Sequence, residues 1–185
     1  MFIQTQETPN PESLKFIPGR LVLDNQEPLS FNSIDDCQKS PFAKRLLSID
    51  GVSSVFFGAD FITITKKNNN DWFVLKPHVL GVIMEHFVNN LPVILSDDTS
   101  GCDKTESTDA VFLQIQEIID TRVRPAVAND GGDIVLHSFV DGIVYLKMKG
   151  ACAGCPSSTV TLKSGIENML KFYVPEVTEV QQIND

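Results

Sequence analysis

The segment Ser96-Asp97-Asp98-Thr99-Ser100-Gly101-Cys102-Asp103-Lys104-Thr105-Glu106-Ser107-Thr108-Asp109 limits the fold more than any other stretch of the chain. It holds five acids, one lysine and almost no apolar side chain. Such a segment cannot bury enough surface to offset the entropy lost on ordering it. A single hydrophobic core therefore cannot run through it. The chain is expected to fold as two small domains, 1–95 and 110–185, joined by a flexible acidic linker over 96–109. At about 95 and 76 residues, each domain is long enough for a modest core. Elsewhere the composition is that of a globular protein, with 42% apolar and 21% charged residues.

Charge and hydropathy exclude several classes of function. The 185 residues carry a formal net charge of −9 and show no basic stripe. Nucleic acid and anionic lipid are therefore not expected partners. No run approaches the roughly 20 apolar residues a membrane helix needs. Met1 to Glu7 contains no Lys or Arg and no apolar block, so a signal or transit peptide is not expected there. A start at Met1 favours bacterial cytoplasm; the alternative is the mitochondrial matrix, for a processed form. Four cysteines, Cys37, Cys102, Cys152 and Cys155, are too few for a disulfide scaffold and point to a reducing compartment.

Periodicity and turn residues give an α+β fold in each domain. In the first, Met1 to Gln6 and Ser13 to Ile17 read as strands around the Thr8-Pro9-Asn10-Pro11 turn. Ser40-Pro41 opens a short helix, with Ser40 as N-cap. Val52 to Phe57 and Phe61 to Thr65 form a hairpin. Lys76 to Asn89 reads as a helix whose buried stripe is Val79, Leu80, Ile83, Met84, Phe87 and Val88. The second domain reads as helix, β-hairpin, CxxC loop, helix and short strand. Its first helix runs from Ala110 to about Ala128 and should bend or end near Pro125, which cannot donate to the Thr121 carbonyl. Asp130-Gly131-Gly132-Asp133 is a turn. Ile134 to Val140 and Ile143 to Lys149 flank the hairpin turn Asp141-Gly142. A helix opens at Pro156, and Val177 to Ile183 is a final strand reached by a crossover.

The chemistry concentrates in Cys152-Ala153-Gly154-Cys155, between a strand and the helix opened by Pro156. Free N–H groups and the helix dipole at that point favour thiolate over thiol. Ala151, Ala153 and Gly154 are small and are expected to leave the loop exposed. From spacing alone four readings stand: a thioredoxin-type dithiol, half of a zinc site, half of an iron–sulfur site, or two buried cysteines without chemistry. A four-ligand site would need two chains sharing their Cys pairs across a two-fold axis, or a small thiol to fill the remaining positions.

Other residues offer weaker signals. Cys37 follows Asp35-Asp36, whose charge disfavours a thiolate, and reads as structural. Cys102 reads as a linker thiol. His78 and His86 lie on the second helix of the first domain, and His137 on the hairpin, none with metal-ligand spacing. Asp130 and Asp133 read as turn and cap residues, and Arg122 and Arg124 as a solvated helix face. Phe56, Phe57 and Phe61 read as core.

Thr121-Arg122-Val123-Arg124-Pro125-Ala126-Val127-Ala128-Asn129-Asp130-Gly131-Gly132-Asp133, followed by Gly150-Ala151-Cys152-Ala153-Gly154-Cys155-Pro156-Ser157-Ser158, resembles the C-terminal domain of NifU-like (Nfu-type) iron–sulfur proteins. Gln6-Glu7-Thr8-Pro9-Asn10-Pro11, Gly51 to Gly58 and Trp72 to Phe87 resemble the N-terminal domain of the same family. The resemblance implies a scaffold or carrier rather than an enzyme. Cys152 and Cys155 would bind a [4Fe–4S] cluster shared between two chains, so the loaded form would be a homodimer and the apo form mostly monomer. The implied partners are upstream cluster assembly proteins and apo iron–sulfur proteins as recipients. The N-terminal domain would recognise targets or partners. The competing function is a thiol–disulfide oxidoreductase using the same pair.

Overall fold

A computed structural model describes residues 2–24, 27–95, 110–153 and 156–183, without the side chains of 156–159. The linker 96–109 with Cys102, and Gly154 and Cys155, lie outside the described residues. The chain divides into two compact units, Met1–Asp98 and Thr99–Asp185. Both combine helices with a small sheet, as the α+β expectation requires.

The first unit is a five-stranded antiparallel sheet in the order β1-β2-β5-β4-β3, with β1 Gln4–Glu7, β2 Ser13–Ile17, β3 Leu29–Phe31, β4 Val52–Phe57 and β5 Ile62–Lys66. Helices α1 (Pro41–Leu47) and α2 (Trp72–Val88) share its core with Phe16, Val55, Phe57, Ile62 and Ile64. The Ser40 hydroxyl satisfies two backbone groups at once: it accepts from the Ala43 N–H (3.1 Å) and donates to the Val93 carbonyl (2.6 Å). That cap fixes where α1 starts. Phe42, on its first turn, stacks on Phe57 at 5.3 Å and on the His86 ring at 3.8 Å. On the other face of the sheet, Phe61 lies over Gly58, where a Cβ would come within 2.5 Å of its ring. Phe56, Phe57 and Phe61 are all buried, as the sequence indicates.

Helix α2 departs from its expected form in two ways. It begins at Trp72 rather than Lys76, because the Asp71 carboxylate accepts from the Phe73 N–H at 2.9 Å and Pro77 is tolerated inside the helix. Its buried side is Leu75, Val79, Ile83, His86 and Phe87. Met84 and Val88, expected in the buried stripe, are 44% and 62% exposed. The apolar residues surround this helix almost completely, so periodicity alone could not tell which arc faces the sheet. The strand β3 and the 3₁₀ turn Asp35–Lys39 add to the expected elements; both are too short for a periodic signal.

The second unit holds α3 (Ala110–Ile118), a π turn (Ile119–Val123), α4 (Arg124–Asn129), β6 (Gly132–Val140), β7 (Ile143–Gly150), α5 (Pro156–Tyr173) and β8 (Glu179–Ile183). The sheet order is β6-β7-β8; β6 and β7 pair antiparallel, and β7 and β8 parallel through α5. Asp141 and Gly142, both at positive φ (50° and 81°), close the hairpin, the conformation a two-residue primed turn requires. Ile115, Ile119, Val123, Val127, Ile134, Val144, Leu146, Leu170 and Val180 form the core. The bend expected at Pro125 appears as the π turn, where the Arg124 N–H bonds to the Ile119 carbonyl. One extra residue per turn is how a helix passes a proline without leaving more of its ladder unpaired. Strand β6 starts two residues earlier than expected, because Gly132 and Asp133 pair with Gly150 and Lys149.

Candidate functional site

Strand β7 delivers the Cys152 loop. Gly150, its last residue, has φ +67°, a left-handed conformation that costs glycine little. The chain then turns sharply: the Ala153 N–H bonds to the Gly150 carbonyl at 3.1 Å, and the Ala151 N–H to the Gly131 carbonyl at 3.2 Å. The second bond ties the loop to the turn that precedes β6. Gly131 is itself at φ +80°.

Beneath the loop lies Gly132. A Cβ there would stand 2.5 Å from the Cys152 Sγ and 2.8 Å from the Lys149 carbonyl oxygen. Any side chain at position 132 would displace the sulfur. The Cys152 thiol therefore occupies a cradle that exists because Gly132 has none. It packs with the core that includes Ile134 and Met148 and is 7% exposed, while Ala153 beside it is exposed. This corrects the expectation of a fully exposed loop: Ala151 and Cys152 are buried. Small neighbours opened a path inward rather than outward.

The cradle is held from the other side by an ion pair. The Arg124 guanidinium donates to both Asp133 carboxylate oxygens, Nε to Oδ1 at 2.9 Å and Nη2 to Oδ2 at 3.0 Å, and Nη1 donates to Asp120 at 3.1 Å. Asp133 is 4% exposed. Hydrogen bonding to Asp133 pushes the Arg124 pKa further up, against the opposing effect of burial. Such two-point pairs fix geometry as well as charge. Through this pair α4 is locked to the residue that follows Gly132. The expectation that Arg124 belongs to a solvated face and Asp133 to a turn is thus overturned, because both belong to one tertiary contact. Arg122 stacks on the Tyr173 ring, 4.7 Å from its centroid. Sequence reasoning found Cys152 but missed Gly132, Arg124 and Asp133 as its supports. The available signal was the Gly131-Gly132 doublet, where two adjacent glycines mean more than one turn.

The remaining candidates are dispersed. Cys37 is 2% exposed and donates its S–H to the Ser33 carbonyl at 3.3 Å. Burial first, then the Asp36 charge, pushes its thiol pKa up, as a structural cysteine requires. His78 and His137 are exposed, with ring nitrogens near the Val74 carbonyl and the Ser138 hydroxyl. His86 is buried, and neither ring nitrogen has a hydrogen-bond partner. Among the described residues no group of three or more His, Cys, Asp or Glu side chains could hold a metal ion. Cys155, the second thiol of the motif, is not among them.

Comparison with known proteins covers both units. A family described as the scaffold protein Nfu/NifU N-terminal domain matches residues 3–90, and the NifU-like domain family matches residues 115–181. The NFU1 iron-sulfur cluster scaffold homolog, mitochondrial, of Homo sapiens is 51% identical over 186 residues, covering 100% of this chain and 73% of its own length. The protein of the same name from Drosophila ananassae is 52% identical over 187 residues, with 100% of this chain and 65% of its own length covered. A solution structure of a NifU-like protein from Saccharomyces cerevisiae aligns with 52% of this chain and 87% of its own, at a TM-score of 0.48 and 25% identity. On the two domain matches and the identity to the human protein along the whole of this chain, the chain belongs to the Nfu/NifU family of scaffold proteins.

Proposed function

We propose that this chain is an iron–sulfur cluster scaffold and carrier. It would hold a [4Fe–4S] cluster through Cys152 and Cys155, shared with a second chain, and pass it to apo-proteins. The cradle at Gly132 carries this reading from the structure's side. A soft sulfur donor is seated at the end of a strand, on a turn hinged by Gly150, in a place that a single Cβ would fill. Thiolates are the ligands such clusters use. The names of the relatives that match along this whole chain support the same cargo.

Burial of Cys152 sets the order of events. In the state described here its sulfur faces the core, so loading requires the 150–153 turn to swing outward. Gly150 supplies the hinge and Ala153 already lies at the surface. Two chains would then present four thiolates around one cluster. Release follows by ligand exchange: each recipient thiolate forms an iron–sulfur bond as one carrier thiolate leaves, so the charge on the cluster is unchanged. Upstream assembly proteins supply the cluster, and apo iron–sulfur proteins receive it. The first unit would contribute recognition of these partners. The oxidoreductase alternative gains no support from the relatives. Their names do support the mitochondrial location given as the alternative above, and give none to bacterial cytoplasm.

The test is anaerobic reconstitution of the full chain, with iron and sulfide quantified per chain and mass measured by light scattering. About two irons per chain in a dimer is the expected result, from one four-iron cluster per pair of chains. Cys152→Ser or Cys155→Ser should abolish stable binding, and Cys37→Ser or Cys102→Ser should not. Full occupancy in either CxxC variant, or a monomeric loaded chain without a bound small thiol, overturns the assignment.

A further inference from the structure

The outer arc of α2 has no partner in the first unit. At 100° per residue, Phe73, Val74, Pro77, Gly81, Met84 and Val88 fall within one arc about 100° wide, opposite the buried Leu75, Val79 and Ile83. All six are exposed, Phe73 at 87%. The arc carries no charged side chain; Lys76, His78 and Glu85 lie outside it. An apolar stripe of that width is what a helix normally turns toward a core, and on a surface it marks an interaction site.

The spacing along the stripe identifies the occupant. Phe73 and Val88 lie equally far on either side of the point between Leu80 and Gly81, and so do Pro77 and Met84. A second copy of α2, laid antiparallel about a two-fold axis through that point, would set Phe73 against Val88 and Pro77 against Met84 twice over. Gly81 lies beside the axis, and a Cβ there would meet nothing within 4 Å. The helices can therefore approach closely where an isologous contact needs it. The absence of charge on the stripe matters in a chain of net charge −9, since it keeps like charges out of the contact.

We infer that the outer face of α2 is a self-association surface, and that it pairs weakly. By the area an aromatic side chain presents, the stripe exposes roughly 400 Å² per copy. Pairing would remove about 800 Å² in total, below the ~1,200 Å² at which stable specific interfaces begin. A free chain at low concentration is then monomeric. In a dimer bridged by a shared cluster, which rests on the function proposed above, the second contact becomes intramolecular, and a weak pairing surface suffices.

The experiment uses the apo full chain under reducing conditions, so that its outcome is independent of cluster binding. Sedimentation velocity from about 10 µM to 1 mM should show the weight-average mass rising from monomer toward dimer, more steeply at high salt. Met84→Glu and Gly81→Glu, both at exposed positions, should weaken association at least tenfold with unchanged circular dichroism. Cys152→Ser should leave it unchanged. A chain that stays monomeric throughout, an unaffected Met84→Glu variant, or association abolished by Cys152→Ser would each overturn the inference.

Discussion

Among the described residues each unit buries one cysteine, and the two burials differ in kind. Cys37 sits inside a 3₁₀ turn, its S–H committed to the Ser33 carbonyl and its thiol pKa pushed up. Exposing it would mean dismantling the turn that caps the route into α1. Cys152 sits just past a strand end, between a glycine at positive φ and a glycine that makes room for sulfur. Its neighbour Ala153 already lies at the surface. Fractional burial alone, 2% against 7%, would have classed the two together. What separates the two thiols is their surroundings: one is committed inside a hydrogen-bonded turn, and the other is seated against a glycine beside an exposed loop residue.

The hardest way to break this contrast is to remove the ion pair behind the cradle. Arg124→Ala leaves the Asp133 carboxylate buried and unpaired and should cost the second unit about 3–5 kcal/mol, with the first unit unaffected. Urea unfolding followed by a probe in each unit measures it; equal losses in both would contradict the local role. Gly132→Ala acts on the cradle itself. Expelling the sulfur should cost about 1–3 kcal/mol and raise the rate of Cys152 alkylation severalfold, read by mass spectrometry of individual cysteines, with the Cys37 rate unchanged. An unchanged Cys152 rate would show that sulfur and Cβ can share the site.

The first unit has its own weak point at His86. Burial, with the nearby Arg45 charge, lowers its pKa from 6.5 to about 4. The unfolded chain therefore binds the proton first as pH falls. Stability of the first unit should be full above about pH 6.5 and decline between there and pH 4, by roughly 1–3 kcal/mol. His86→Phe, which keeps a ring against Phe42, should flatten that decline, as unfolding midpoints across the pH series would show; a second unit that loses stability in parallel would point to another group. The smallest effect is a control. Gly165 lies in α5, and a Cβ there meets open space, so Gly165→Ala should stabilise by up to about 1 kcal/mol. A loss instead would mean that α5 tolerates substitution no better than the cradle does.

Features set by neighbours in the chain could be read from sequence, and features set by distant contacts could not. Ser40-Pro41 announced α1, and Asp141-Gly142 the hairpin, because the cap and the turn are completed within four residues. Pro77 concealed the first turn of α2, since a proline usually ends a helix and here stands near its start. Periodicity places Met84 and Val88 on the wrong face because α2 is apolar nearly all round. The spacing of the CxxC motif singles out Cys152. Its burial could not be read, because that depends on Gly132 across the β6–β7 ladder. Arg124 and Asp133 are only nine residues apart. Yet they meet because of a π turn and a reversal whose combined geometry no local rule supplies.

That π turn has a consequence for which substitutions the chain can tolerate. It holds one residue more than ordinary helix needs for the same rotation. Were Ile119–Val123 to tighten into ordinary helix with all five residues kept, every later residue of α4 would rotate by about 100° about the helix axis. Arg124 would turn away from Asp133, and the strand start that seats Cys152 would lose its anchor. The more regular helix would be the poorer support for sulfur. Substitutions that favour regular helix over these five residues should therefore strengthen the helix and weaken the seat of Cys152.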